Sequence, residues 1–157
     1  MKLKEKSMFD QFLKYRLGFI FIFLTFLSSC STSPKPIDFD VDNCDFCQMT
    51  ISDQRFGAEL VTKKGRIYKF DDLHCLKGFL NEKEVKAEDV ASNWVVDFAQ
   101  PSVLIAITES FFVQNEQFKS PMGSNIAAFS HADSAKAFQT NYSGTEIKWE
   151  NYLETGK

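Results

Sequence analysis

Phe70-Asp71-Asp72-Leu73-His74-Cys75-Leu76-Lys77-Gly78-Phe79-Leu80 is the stretch where a strand runs into a helix. Leu73, Leu76, Phe79 and Leu80 recur at helical spacing and form one apolar stripe. An acidic residue just ahead of such a stripe is a helix-start signal, and Asp71 is read as the N-cap. Glu82-Lys83-Glu84 ends the helix in solvent. At about 100° per residue, Cys75 falls at the edge of the stripe and His74 points largely away from it. Upstream, Ala58–Thr62 and Ile67–Phe70 are β-rich and flank Lys63-Lys64-Gly65-Arg66. Gly65 supplies the positive φ that a hairpin loop of this kind requires.

The pattern returns further along. Residues 94–98 and 103–107 read as strands, and Phe111-Phe112-Val113 and Ile126-Ala127-Ala128-Phe129 complete the sheet signals. Ser130-His131-Ala132-Asp133 fits a capping box opening a helix through Ala135, Lys136 and Phe138. Laying 70–80 on 129–139 superimposes Phe70 on Phe129, Lys77 on Lys136 and Phe79 on Phe138. The expected fold class is α+β: two similar ββαβ-like units packed together, antiparallel strands with one capped helix each, over residues 43–90 and 91–157.

The first 16 residues carry five basic residues against two acidic ones, followed by an apolar run over 17–27. That run is too short to cross a hydrocarbon core of about 30 Å comfortably. A basic start, a short apolar run and then small residues read as a secretory signal over 1–29. Leu27-Ser28-Ser29-Cys30 resembles a bacterial lipobox, which implies lipidation at Cys30 and a membrane-anchored chain facing the periplasm. An uncleaved anchor helix and cleavage without lipid are the other readings of this stretch. Residues 30–42, polar and punctuated by Pro34 and Pro36, are expected to be a flexible tether, with the folded domain over 43–157. Removing the leader takes the formal charge from −3 to −6. An acidic domain without a basic stripe excludes nucleic acid as a partner class.

Cys44-Asp45-Phe46-Cys47-Gln48-Met49 puts two thiols and a thioether within six residues. Soft sulfur donors of this kind select Cu(I) over hard cations. Of the four cysteines, a lipidated Cys30 leaves Cys44, Cys47 and Cys75, an odd number, so one thiol stays unpaired within the chain. From the residues alone, metal ligation, a disulfide or redox pair, and a structural zinc site all stay open. Ser120-Pro121-Met122-Gly123 marks a turn with a methionine at its exposed tip, poorly placed to fill a core. A thioether there can reach back toward Cys47 and Met49.

These features together resemble the NosL family, accessory proteins of nitrous oxide reductase. The resemblance rests on Cys30, Cys44-x-x-Cys47-x-Met49, Phe70-Asp71-Asp72 and Ser120-Pro121-Met122-Gly123, and covers most of the chain after the leader. It departs at Gln48, where relatives often have glycine or histidine, and at His74-Cys75-Leu76, where relatives vary. It implies a membrane-tethered Cu(I) carrier, not an enzyme, supplying copper to the reductase or its membrane assembly complex. Its implied ligands are Cys47, Met49 and Met122, then Cys44, with Cys75 and His74 as further candidates and His131 undecided. The competing functions are a thiol-disulfide oxidoreductase using Cys44 and Cys47, and a structural lipoprotein with a disulfide.

Overall fold

The structure, a computed structural model, describes residues 32–155. The leader and Cys30 lie outside the described residues. Strand β1 (Ala58–Thr62) is buried at every position, whereas β2 (Ile67–Phe70) alternates half-buried and buried residues. The two pair antiparallel from Ala58 opposite Phe70 to Val61 opposite Ile67. Between them Gly65 adopts φ 78°, and the turn closes through the Thr62 hydroxyl, which accepts from the Arg66 amide at 2.9 Å.

Helix α1 (Leu73–Asn81) follows at once. Its N-cap is Asp72, not the expected Asp71: Asp72 is extended at φ −157° and its side chain accepts from the His74 and Cys75 amides. Two aspartates in a row look equally cap-like in sequence. Backbone direction decides between them, and Asp71 is turned inward instead, 2 % exposed. After a 3₁₀ turn at Ala87–Asp89 come β3 (Val90–Val96) and β4 (Leu104–Ala106), which place the expected 94–98 strand several residues earlier. The first sheet runs β2-β1-β3-β4, antiparallel throughout.

The second half repeats the design. Strands β5 (Phe111–Gln114) and β6 (Ile126–Phe129), helix α2 (Ala132–Tyr142) and β7 (Thr145–Ile147) form a sheet in the order β6-β5-β7. In each unit the first strand lies between the second and the one after the helix, so the fold is α+β with two ββαβ units. The capping box at Ser130 does not form. His131 is the N-cap and makes no side-chain capping bond, while the Ser130 hydroxyl is directed instead to Asp97 Oδ2, to which it donates at 2.5 Å. A short helix α3 (Trp149–Glu154) closes the chain; Lys77 of α1 lies 4.5 Å over the Tyr152 ring and donates to the Thr155 carbonyl.

The main core joins the halves. Leu60, Phe70, Leu73 and Leu76 of the first unit cluster with Phe112, Ile126 and Ala128 of the second. A smaller core under α2 is built on Phe56, Phe118 and Phe129. Burying each such large apolar side chain contributes roughly 1.5–3 kcal/mol. Residues 35–42, assigned by sequence to the tether, lie against the first sheet. Ile37 is buried, Lys69 Nζ donates to the Pro36 carbonyl at 2.9 Å, and Lys69 pairs with Asp42 at 2.6 Å. Among the described residues no helix is long and apolar enough to cross a membrane.

Candidate metal centre

The Cys44–Met49 segment is the tip of a pinched loop. Below it, the Ile51 amide donates to the Asp42 carbonyl at 2.9 Å; at the tip, the Cys44 amide donates to the Met49 carbonyl at 2.8 Å. The Gln48 amide returns to the Cys44 carbonyl at 2.9 Å, with Gln48 itself at φ 64°. A glycine would adopt that angle without steric cost. Asp45 fastens the loop to β2: its amide donates to the Lys69 carbonyl at 2.8 Å and its carboxylate accepts the Lys69 amide at 2.7 Å.

Phe46, between the two cysteines, lies on α1 at Gly78. A Cβ there would come within 2.4 Å of the Phe46 ring. The missing side chain thus lets the loop rest on the helix, and Cys75 sits one turn before Gly78 on that helix. The result is a three-sulfur cluster: the Sγ atoms of Cys44, Cys47 and Cys75 all lie within 4.8 Å of one another. All three are free thiols; Cys44 and Cys75 are buried and Cys47 is half-buried.

Their proton affinities diverge. The Cys75 thiol donates to the Cys44 sulfur, and the amides of Cys47, Asp71 and Phe46 point at it too, so Cys44 is lowered to about 5 despite its burial. Cys75 is pushed upward because it holds the donated proton and is itself buried. Cys47 is raised by burial, partly offset by the Met49 amide, which donates to its sulfur. Of the three, Cys44 is the thiol most readily ionised, and Cys47 and Cys75 hold their protons more tightly than an ordinary thiol. Asp71, unrecognised from sequence as part of this neighbourhood, is raised to about 6, first by burial and then by the charge on Cys44. Its Oδ1 has no hydrogen-bond partner among the described residues.

The remaining candidates divide. Met122 is half-buried against the same core that holds Cys44 and Cys75, so its turn tip is more enclosed than expected. Its amide donates to Asp72 Oδ2 at 3.2 Å, on the residue whose other oxygen caps α1 beside Cys75. Met49 is 57 % exposed, its amide at the cluster and its side chain in solvent. His74 and His131 are exposed, and neither joins the three-sulfur group. Sequence reasoning missed Asp72 as the residue linking the two motifs. The motifs were visible; a contact between residues 48–52 positions apart was not.

Fold and cluster define a duplicated ββαβ protein with three converging thiols compatible with a bound copper ion. The profile of the NosL family matches residues 36–154, and the chain belongs to that family. Among solved structures, the crystal structure of the copper chaperone NosL from Shewanella denitrificans aligns over 80 % of this chain and 99 % of that one. The TM-score is 0.68 at 24 % identity, a likeness of fold. No curated protein matches the chain.

Proposed function

We propose that this protein is an extracytoplasmic Cu(I) carrier, tethered through a lipid on Cys30, that hands copper to an enzyme of the nitrous oxide reductase type or its assembly complex. The observation that carries the reading is the three-thiol cluster on a NosL-family chain. Three sulfurs at this spacing offer a compact soft donor set, which suits Cu(I). Zinc in a structural site takes four ligands. Met122 packs against the core that holds Cys44 and Cys75, within the reach this reading asks of its thioether, and half-buried Cys47 next to exposed Met49 forms the solvent edge. Release proceeds at that edge: an acceptor sulfur bonds to copper as a carrier sulfur leaves, and vacated thiolates regain their protons. No bond is made or broken in a substrate, so the role is transport and not catalysis. Tethering raises the concentration of carrier beside a membrane-held acceptor.

The thiol-disulfide reading calls for an accessible, low-pKa cysteine as nucleophile. Here the acidic thiol, Cys44, is the buried one, and the accessible thiol, Cys47, is raised. The test is competition for Cu(I) against a chromophoric chelator. One Cu(I) per chain is expected, with affinity lowered in Cys47→Ser, Cys75→Ser and Met122→Leu, and to a lesser degree in Met49→Leu. Unchanged affinity across all four variants, or insulin reduction by a chain that holds no copper, would remove the proposal.

A further inference from the structure

Asp72 does more than a helix cap requires. A cap needs one side-chain oxygen, and Oδ1 supplies it, accepting the His74 amide at 2.6 Å and the Cys75 amide at 3.3 Å. Oδ2 is free to serve elsewhere, and all three of its donors come from the other unit. They are the Ser120 hydroxyl at 2.7 Å, the Met122 amide at 3.2 Å and the Ser124 amide at 3.3 Å. The carboxylate is completely buried. Five donors converge on the two oxygens of one buried side chain, and an amide or hydroxyl side chain has a single oxygen to offer them.

The two sets of donors belong to the two segments that carry sulfur. One is the first turn of α1, with Cys75; the other is the Ser120–Ser124 turn, with Met122 at its tip. The turn itself is tight, the Gly123 amide returning to the Ser120 carbonyl at 3.1 Å, so fixing its base fixes its tip. We propose that Asp72 is a positioning residue for copper: by bridging the two segments it holds the Met122 thioether over the thiol cluster. It touches no metal itself and acts through Met122.

The isosteric change Asp72→Asn separates the two duties, since the amide oxygen can keep the cap while the NH₂ group faces three donors it cannot accept. This inference rests on the Cu(I) reading, and the experiment distinguishes them. In the metal-free protein, Asp72→Asn is expected to lose hydrogen-exchange protection at the Met122 and Ser124 amides while keeping it at Cys75. With Cu(I) bound, the affinity falls about 10- to 100-fold, the range for residues that orient a ligand. X-ray absorption then shows the thioether sulfur gone and the thiolate sulfurs retained, and adding Met122→Leu lowers affinity little further. Wild-type affinity in Asp72→Asn, a retained thioether signal, retained Met122 protection, or losses that multiply in the double variant would each overturn it. Should Asp72→Asn fail to fold, Ser120→Ala carries the test, with a smaller loss of the same thioether signal expected and an unaltered signal overturning the proposal. Wild-type chain that binds no Cu(I) overturns the carrier reading and, with it, this role.

Discussion

Cys44 and Cys47 lie three positions apart in one loop, yet one gives up its proton readily and the other holds it. The difference is set by donors. Amides of Cys47, Asp71 and Phe46 converge on the Cys44 sulfur together with the Cys75 thiol. Cys47 has mainly the Met49 amide and lies in a partly dry setting. On the proposed Cu(I) reading, binding would displace protons from Cys47 and Cys75, both raised above the ordinary thiol value. The sign follows directly: a ligand that loses a proton on binding gains affinity as pH rises. Between pH 6 and 8 the apparent Cu(I) affinity is expected to climb by about one to two log units per pH unit, one for each proton displaced. Chelator competition at several pH values measures the slope, and a flat profile would show the thiols already ionised. Alkylation should follow exposure and not acidity, marking Cys47 before the buried Cys44. Peptide mass mapping after brief iodoacetamide treatment reads the order.

Helix α1 and the cysteine loop are fitted to one another at a single glycine. An alanine at position 78 would gain about 1 kcal/mol of helix propensity. Its Cβ would also stand 2.4 Å from the Phe46 ring, and overpacking of that kind costs about 1–3 kcal/mol. The loop has little slack, because Asp45 is bonded to Lys69 through both its amide and its carboxylate. Gly78→Ala is thus expected to lower the melting temperature only slightly while moving Phe46, and the cysteines on either side of it, off the helix. Faster alkylation of Cys44 and weaker Cu(I) binding are the readouts, with partial recovery on adding Phe46→Leu. Unchanged Cys44 protection would mean the ring swings aside freely. Much of this element was legible in the sequence. The apolar stripe gave the helix, and the match of Phe70 with Phe129 marked two equivalent strand ends. The caps were not legible, since Asp71 and Asp72 differ only in backbone direction and Ser130 is diverted to Asp97. Strand β7 and helix α3 were not either: three residues of half-exposed strand and six of helix are too short to show a period. Cys75 read equally well as a core-edge residue and as a ligand, because its sulfur neighbours come from a loop about thirty positions earlier.

At the scale of the whole domain, buried carboxylates sit where separate parts of the chain meet. Asp72 binds the Met122 turn, and Asp97 binds Ser130 where its neighbour Phe98 donates to the Ala128 carbonyl at 2.8 Å, so each joins one ββαβ unit to the other. Glu59 is buried where Lys35 reaches the first sheet, and it is less well served. It is completely buried on β1; among the described residues it accepts a hydrogen bond only from the Lys35 amide, at 3.1 Å, and Oε1 has no partner. Burial pushes it up to about 7, against the opposing pull of the Lys35 amide and the Lys69 charge. A carboxyl whose folded value lies above its unfolded one favours the native state most when protonated. Its contribution is therefore greatest below about pH 4.5, falls as pH rises toward 7, and is constant beyond. Asp71 acts in the same direction up to about 6, while Asp53, lowered by Arg55, opposes it at the acid end, its stabilisation lost as pH falls. Glu59→Gln keeps an oxygen for Lys35 and removes the buried charge. It is expected to raise stability at pH 8 by about 1–3 kcal/mol and to change little at pH 4.5, flattening the profile between. Urea midpoints at the two pH values are the measurement. Equal destabilisation at both would mean that Lys69 already neutralises Glu59, and that the chain from 35 to 37 is held by that ion pair instead of resting on a proton.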